Sequence, residues 1–428
     1  MRATRFATFL TCSITVLGAT TVGQGKSIWP EFRGPTADGH ANAPGLPLEW
    51  GEDKNVVWKV PIHDLGWSSP VVAEGRVWLT AATEHGEQMF VLAFDLETGD
   101  PLVDRTLFEN PRLTRKDELN TFASPSPVIE PGRVYIHFGR YGTACLDTES
   151  GDTIWERRDL VYDDHEGPGS SPILFRDLLI FHSDGIDQQH VHALDKTTGE
   201  TKWSNERSTD FGRMPPELRK GYNTPLVVDV DGEPRMISIG GQAAMAYDPA
   251  SGKEIWKVRI PGFSHSTRPV VGDGLVFMST GFMTATLIAV RADFEGFMGP
   301  DDVVWTYRRN VPKLPSFLLV DGRIYMVDDS GIATCLDAKT GERVWVQRLG
   351  GLHYASPIYA AGRIYFFDND GRTVVIAPGD EYEELAVNEL ATGFMGSAAV
   401  AGKALVLRTE THLYRIEDTT GRPGDNRR

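Results

Sequence analysis

A nine-residue phrase recurs along the chain and limits what it can fold into: an Asp, three residues, a Gly, three more residues and a Trp. It reads Asp147-Thr-Glu-Ser-Gly151-Asp-Thr-Ile-Trp155, and returns from Asp195 through Gly199 to Trp203, from Asp248 through Gly252 to Trp256 and from Asp337 through Gly341 to Trp345. A fifth copy, Asp95 to Gly99, has Val103 where the Trp belongs, and a sixth keeps only Trp305. In such a phrase the Asp carboxylate accepts backbone N–H groups two or three residues on, and the Gly supplies the positive φ that closes a tight turn. Each phrase is therefore a hairpin turn, and each Trp marks the strand that follows it.

Between Trp58 and Trp345, counting Val103 as a member, the spacing averages about 48 residues, the length of a four-stranded propeller blade. The order inside each unit is constant: a Ser/Thr-Pro strand start, a Gly-containing hairpin, a second strand, a third ending in Asp, then the phrase. The strand starts run through Ser69-Pro70, Ser126-Pro127, Ser171-Pro172, Thr224-Pro225, Arg268-Pro269, Ser316, Ser356-Pro357 and Ser397, which makes eight units. The last unit contains three strands, whereas Val56-Val-Trp58-Lys-Val60 has the form of an outermost strand and precedes the first full unit. The sequence thus predicts an all-β fold over residues 50–417. It is an eight-bladed β-propeller of four-stranded antiparallel blades, the last blade closed by the N-terminal strand so that no edge is left unpaired.

The flanking segments read differently. Residues 1–21, with Arg2 and Arg5 ahead of an apolar stretch from Phe6 to Leu17, have the form of a signal peptide; Thr11 before Cys12 is a poor lipoprotein signal. Residues 22–49 are a Pro- and Gly-rich lead-in in which Trp29 and Phe32, with Trp50 just beyond, are the docking aromatics, and 418–428 form a polar tail. Past the first twenty residues no apolar run is long enough to span a bilayer. A net charge of −16 argues against nucleic acid as a partner. Cys145 and Cys335 share a slot held elsewhere by Ala93, Ala193, Ala246 and Ala289, in the second and sixth units on opposite sides of the ring, too far apart for a disulfide.

The Asp-x-x-Thr-Gly-x-x-x-Trp phrase, with its Ser-Pro and Gly-Arg-Val-Tyr landmarks, resembles the pyrroloquinoline quinone (PQQ) repeat. That family includes the quinoprotein dehydrogenases and the non-enzymatic BamB-type outer-membrane assembly proteins, so the resemblance implies the propeller and leaves activity open. The enzymes of the family carry adjacent cysteines against the quinone, a catalytic Asp beside calcium and long insertions roofing the cofactor. This chain has no adjacent cysteines, modest insertions (Thr106 to Leu119, Thr209 to Tyr222, Asp293 to Asp301) and no Cys-x-x-Cys-His haem site.

Tracing the strands puts the Gly hairpins and Asp-Gly turns on one face and the variable loops on the other, where function belongs. The loops entering the innermost strands ring the channel mouth and supply the candidate binding residues Trp67, Tyr222, His265, Arg268, Lys313, His353 and Tyr354. Of these, His265, Arg268, Lys313 and His353 are placed to hold an anion such as a quinone carboxylate. Asp328, Asp329, Asp368 and Asp370 offer oxygens for calcium but lack the full loop spacing and final Glu of a calcium loop, and read better as polar turns. No catalytic residue and no metal ligand is assigned. The reading favoured is an exported periplasmic or extracellular monomer, a non-catalytic scaffold offering its loop face to an envelope protein, peptide or polysaccharide. The alternative is a PQQ-dependent alcohol or sugar dehydrogenase.

Overall fold

The computed structural model describes residues 29–112 and 114–419. The signal-peptide reading, Cys12 and most of the polar tail lie outside the described residues. Eight antiparallel sheets form the ring: blade 1 (71–109), blade 2 (128–157), blade 3 (173–206), blade 4 (226–259), blade 5 (270–307), blade 6 (318–348), blade 7 (358–389) and blade 8 (399–416). Val56–Pro61 pairs antiparallel with His412–Ile416 as the fourth strand of blade 8, the closure the sequence predicts.

Each turn phrase is built as its chemistry dictates. The Oδ1 of Asp95, Asp147, Asp195 and Asp337 accepts N–H groups two and three residues on, at 2.8 to 3.1 Å. The Gly residues sit at φ near +75°, and a second reason for them comes from outside the turn. A Cβ on Gly99, Gly199, Gly252 or Gly341 would stand 2.6 to 2.8 Å from the ring of Trp58, Trp155, Trp203 or Trp305 of the preceding blade. Trp58, Trp155 and Trp305 also donate Nε1–H at 3.0 Å to a carbonyl of that neighbour. The Trp is thus a bolt and the Gly its seat; in the copy without the Trp, Val103 presses on Gly151 instead.

Every outer strand shifts register just before this position, a bulge that turns the side chain toward the next blade. The small-residue slot sits directly across the ladder: Cys145 faces Trp155, Cys335 faces Trp345, and Ala193, Ala246 and Ala289 face Trp203, Trp256 and Trp305. Both cysteines are buried free thiols, and burial pushes each up to about 12.

The inner edges are joined by a second fastener. At the strand starts the backbone N–H of Ser69 donates to Ser126 Oγ, Ser126 to Ser171, and Ser171 to Thr224. Beyond blade 5 the same link runs from Arg268 N–H to Ser316, then to Ser356, Ser397 and back to Ser69, all at 2.8 to 3.1 Å. Seven hydroxyls therefore encircle the channel, and the circuit is interrupted where blade 5 has Arg268 in place of Ser or Thr.

The lead-in fills the channel beneath this ring. Trp29 bridges to Val72 of blade 1, the Pro30 carbonyl accepts from Ile129 of blade 2, and His40–Ala41 runs parallel to Ile358–Ala360 of blade 7. Arg33 is buried and donates to the carbonyls of Phe317 and Pro357, in blades 6 and 7. Trp29 and Trp50 are buried in the cluster that also joins blades 1, 7 and 8. An apolar lead-in with its cation spent on carbonyls makes a solid core of what would otherwise be an open pore.

Candidate functional site

Above the plug the channel opens on the loop face as a cavity of about 240 Å³. Its floor is Phe32 of the lead-in and six of the seven ring hydroxyls, and its walls include Trp67, Leu119, Tyr222, Phe263, Phe282, Tyr354 and Met395, with Asp117 and Glu166 on one side. The rim is apolar where it meets solvent: Leu119 is 51% exposed, Phe282 37% and the adjacent Met283 78%. Phe263 and Phe282 stack at 6.4 Å between ring centroids. Each is backed by a cation, Lys220 over Phe263 at 5.6 Å and Lys313 over Phe282 at 5.7 Å.

Three of the seven residues singled out from sequence line this cavity. Trp67 is held by an Nε1–H bond to the Leu119 carbonyl at 3.2 Å. Tyr222 donates to the Asp164 carbonyl at 3.1 Å and lies 3.2 Å from Glu166 Oε2; burial raises its pKa well above the usual phenol value. Tyr354 is half-buried, and desolvation, with Asp329 near, raises it too. Lys313 stands at the rim on Phe282.

The remaining three are directed elsewhere. His265 is fully buried, its ring against the carbonyls of Gly262 and Thr280, and burial lowers it to about 4, so it is neutral at pH 7. His353 is buried with Nε2 3.0 Å from the Gly350 carbonyl, and burial lowers its pKa as well. Arg268 turns inward: it donates to the carbonyls of Pro225 and Phe32 and pairs with Glu31 at 2.8 Å. The positive charge that sequence reading gathers at the mouth is thus dispersed, because burial removes it from the histidines and the lead-in claims it from the arginine.

The acidic turns are equally committed. Asp328 Oδ1 accepts from Ser330 and Ile332, Asp329 Oδ1 from Lys313 and Leu314, and Asp368 Oδ1 from Asp370 and Arg372 backbone N–H groups. Among the described residues no group of three or more His, Cys, Asp and Glu side chains is arranged to hold a metal ion. A carboxylated quinone does not fit the residues present. Arg268 is neutralised by Glu31, Lys220 is paired with Glu166 at 2.7 Å, Asp117 adds a carboxylate to the wall, and Cys145 and Cys335 lie buried in blades 2 and 6. Sequence reading missed the hydroxyl ring as a unit, although the recurrence of Ser or Thr at each strand start, broken at Arg268, was its signal.

Fold and site together define an eight-bladed propeller of PQQ-like repeats with a plugged channel and an aromatic mouth. A family model described as outer membrane protein assembly factor BamB matches residues 86–205 and 223–423, and the chain belongs to that family. It is 23% identical over 236 residues to outer membrane protein assembly factor BamB of Yersinia pestis, an alignment covering 44% of this chain and 58% of that protein. The chain thus spans somewhat more than half the length of the curated relative it matches. The crystal structure of BamB from Moraxella catarrhalis superposes with a TM-score of 0.61 at 12% identity, covering 85% of this chain and 98% of that one. A europium-containing methanol dehydrogenase gives 0.69 at 10% identity, covering 91% of each chain. Quinohemoprotein alcohol dehydrogenase from Comamonas testosteroni gives 0.65 at 12%, covering 91% of this chain and 80% of that one. At such identities the structural likenesses speak for the fold alone.

Proposed function

We propose that this protein is an exported, non-catalytic binding scaffold of the cell envelope that receives a protein, peptide or polysaccharide partner on its loop face. The observation that carries the reading is the mouth itself: an exposed apolar rim of Leu119, Phe282 and Met283 around an aromatic cavity beside which Arg268 is paired with Glu31 and Lys220 with Glu166. Large apolar side chains left exposed around a single opening mark an interaction site. Family membership supports the reading, since the family model and the Yersinia pestis protein bear the name of an outer membrane protein assembly factor. Among the described residues no helix is long and apolar enough to cross a membrane.

The test places a photo-crosslinker at Met283 on the loop face and at Glu149 in an Asp-Gly turn on the opposite face, in cells expressing the full chain. A discrete adduct from position 283 that is absent from 149 supports the scaffold. The same purified protein titrated with PQQ and calcium is expected to show neither saturable Trp quenching nor dye-coupled oxidation of alcohols or sugars. Turnover in that assay would replace the scaffold by an oxidoreductase.

A further inference from the structure

The floor of the cavity carries a donor set with nothing to donate to. Each of the seven ring hydroxyls accepts a backbone N–H from the neighbouring blade, and none has an acceptor for its own O–H among the described residues. Six of them line the cavity, each no more than 5% exposed. A buried hydroxyl left without an acceptor costs free energy unless water or a ligand supplies one, so the floor is a built array of hydrogen-bond donors facing the opening. Around it stand the aromatic side chains of Trp67, Tyr222, Phe263 and Tyr354. At the rim the Asp117 carboxylate gives one oxygen to the Leu119 N–H and keeps the other for a donor.

We propose that the channel-mouth cavity binds a neutral saccharide, one pyranose ring inserted toward the hydroxyl ring. The proposal rests on the scaffold reading above and names the chemistry of its ligand. A sugar ring offers a C–H face that packs on an aromatic ring and a belt of hydroxyls that both accept from O–H donors and donate to a carboxylate. Competing ligand classes fit less well. An anion meets the Asp117 carboxylate in the wall, finds Lys220 already paired with Glu166 at 2.7 Å and only Lys313 at the rim to attract it, and enters a chain of net charge −16. A purely apolar group would cover the donors without satisfying them. A folded segment or helix exceeds a volume of 240 Å³, which falls below the roughly 300–1,000 Å³ of sites that enclose drug-sized molecules.

The experiment titrates the purified full chain with glucose, galactose, mannose, N-acetylglucosamine and their β-1,4-linked dimers, following Trp fluorescence and heat. At least one sugar is expected to bind saturably, with affinity falling about tenfold in Trp67→Ala, consistent with the loss of one aromatic face. Thr224→Val, which removes a floor hydroxyl at nearly constant shape, is expected to weaken the same sugar several-fold. Trp67→Ala is expected to keep the parent melting temperature, which separates lost binding from lost folding. No response to any sugar of the panel, or binding unchanged in both variants, overturns the proposal. If the sugars fail while a protein or peptide adduct forms at position 283, the saccharide is wrong and the scaffold stands; quinone-dependent turnover would sink both.

Discussion

The junction between blades 4 and 5 and the other seven junctions solve one problem in two ways. Elsewhere the inner edges are tied by a backbone N–H to a hydroxyl, and most outer edges by a bulky side chain seated in the next blade's turn. At blades 4 and 5 the inner link is missing, and Arg268 reaches back to the Pro225 carbonyl of blade 4 while gripping the lead-in through Phe32 and Glu31. On the outside, Trp256 meets no Asp-Gly turn; the insertion between the last two strands of blade 5 adds Gly296–Met298 as a fifth, parallel strand on blade 4, with Gly296 opposite Trp256. The comparison teaches that the repeat's fasteners are interchangeable parts. Where both local ones are absent, one long side chain and one inserted strand take over, and the inner substitute also anchors the plug.

The sharpest way to break this comparison is Arg268→Met. It leaves the Glu31 carboxylate without its cation and two buried carbonyls without donors, and is expected to cost about 3–5 kcal/mol in denaturant unfolding. Adding Glu31→Gln should recover part of that loss; no recovery would mean that the ion pair is not what holds the lead-in. Next in size, Trp155→Ala empties the seat on Gly199 and is expected to cost about 3 kcal/mol, the price of one ordinary outer fastener. Ser126→Ala removes one ordinary inner link and should cost about 1–2 kcal/mol. Equal losses for Arg268→Met and Ser126→Ala would show that the exceptional junction carries no additional load.

The most gradual of these effects is a pH slope. Burial lowers His137 to about 3, and His192 and His265 to about 4, against 6.5 for the unfolded chain. A depressed folded pKa gives stability that is complete above pH 6.5 and is lost as the pH falls toward 4 and 3. Each histidine contributes at most about 1.4 kcal/mol per pH unit. Asp164 acts in the opposite sense: burial raises it to about 7 from 3.8, so its contribution is complete below pH 3.8 and is lost as the pH rises through about 7. Melting temperatures from pH 8 to pH 4 should therefore fall on acidification, and fall more steeply in Asp164→Asn. A flat profile in the parent would contradict the burial assigned to these histidines.

What was legible in the sequence was what repeats within a few residues. The Asp-Gly turns, the blade count and the N-terminal closing strand follow from local hydrogen-bonding chemistry and spacing, and the fold answers to them. The site was legible in part. Trp67, Tyr222 and Tyr354 reach the cavity because loop position alone puts them there, whereas the charge of His265 depends on burial that no motif encodes. The task of Arg268 is set by Glu31, 237 positions away, and the lead-in has neither period nor repeat to betray its place in the channel. Even the Gly of the turn had a second reason, the Trp of the preceding blade, that a reading confined to its own hairpin does not supply.

The closing strand and the plug also impose an order in time. Trp29 to Ala41 contacts inner strands of blades 1, 2, 5, 6 and 7, and Val56–Pro61 completes blade 8. A stretch that precedes every blade in the chain therefore finds its last partners only after blades 7 and 8 have been made. Contacts of such sequence separation slow folding, and until they form blade 8 lacks its outer strand and blade 7 the strand on its inner edge. Once formed, they clasp the stretch ahead of blade 1 to blades 7 and 8, so that neither of those blades can open without releasing it.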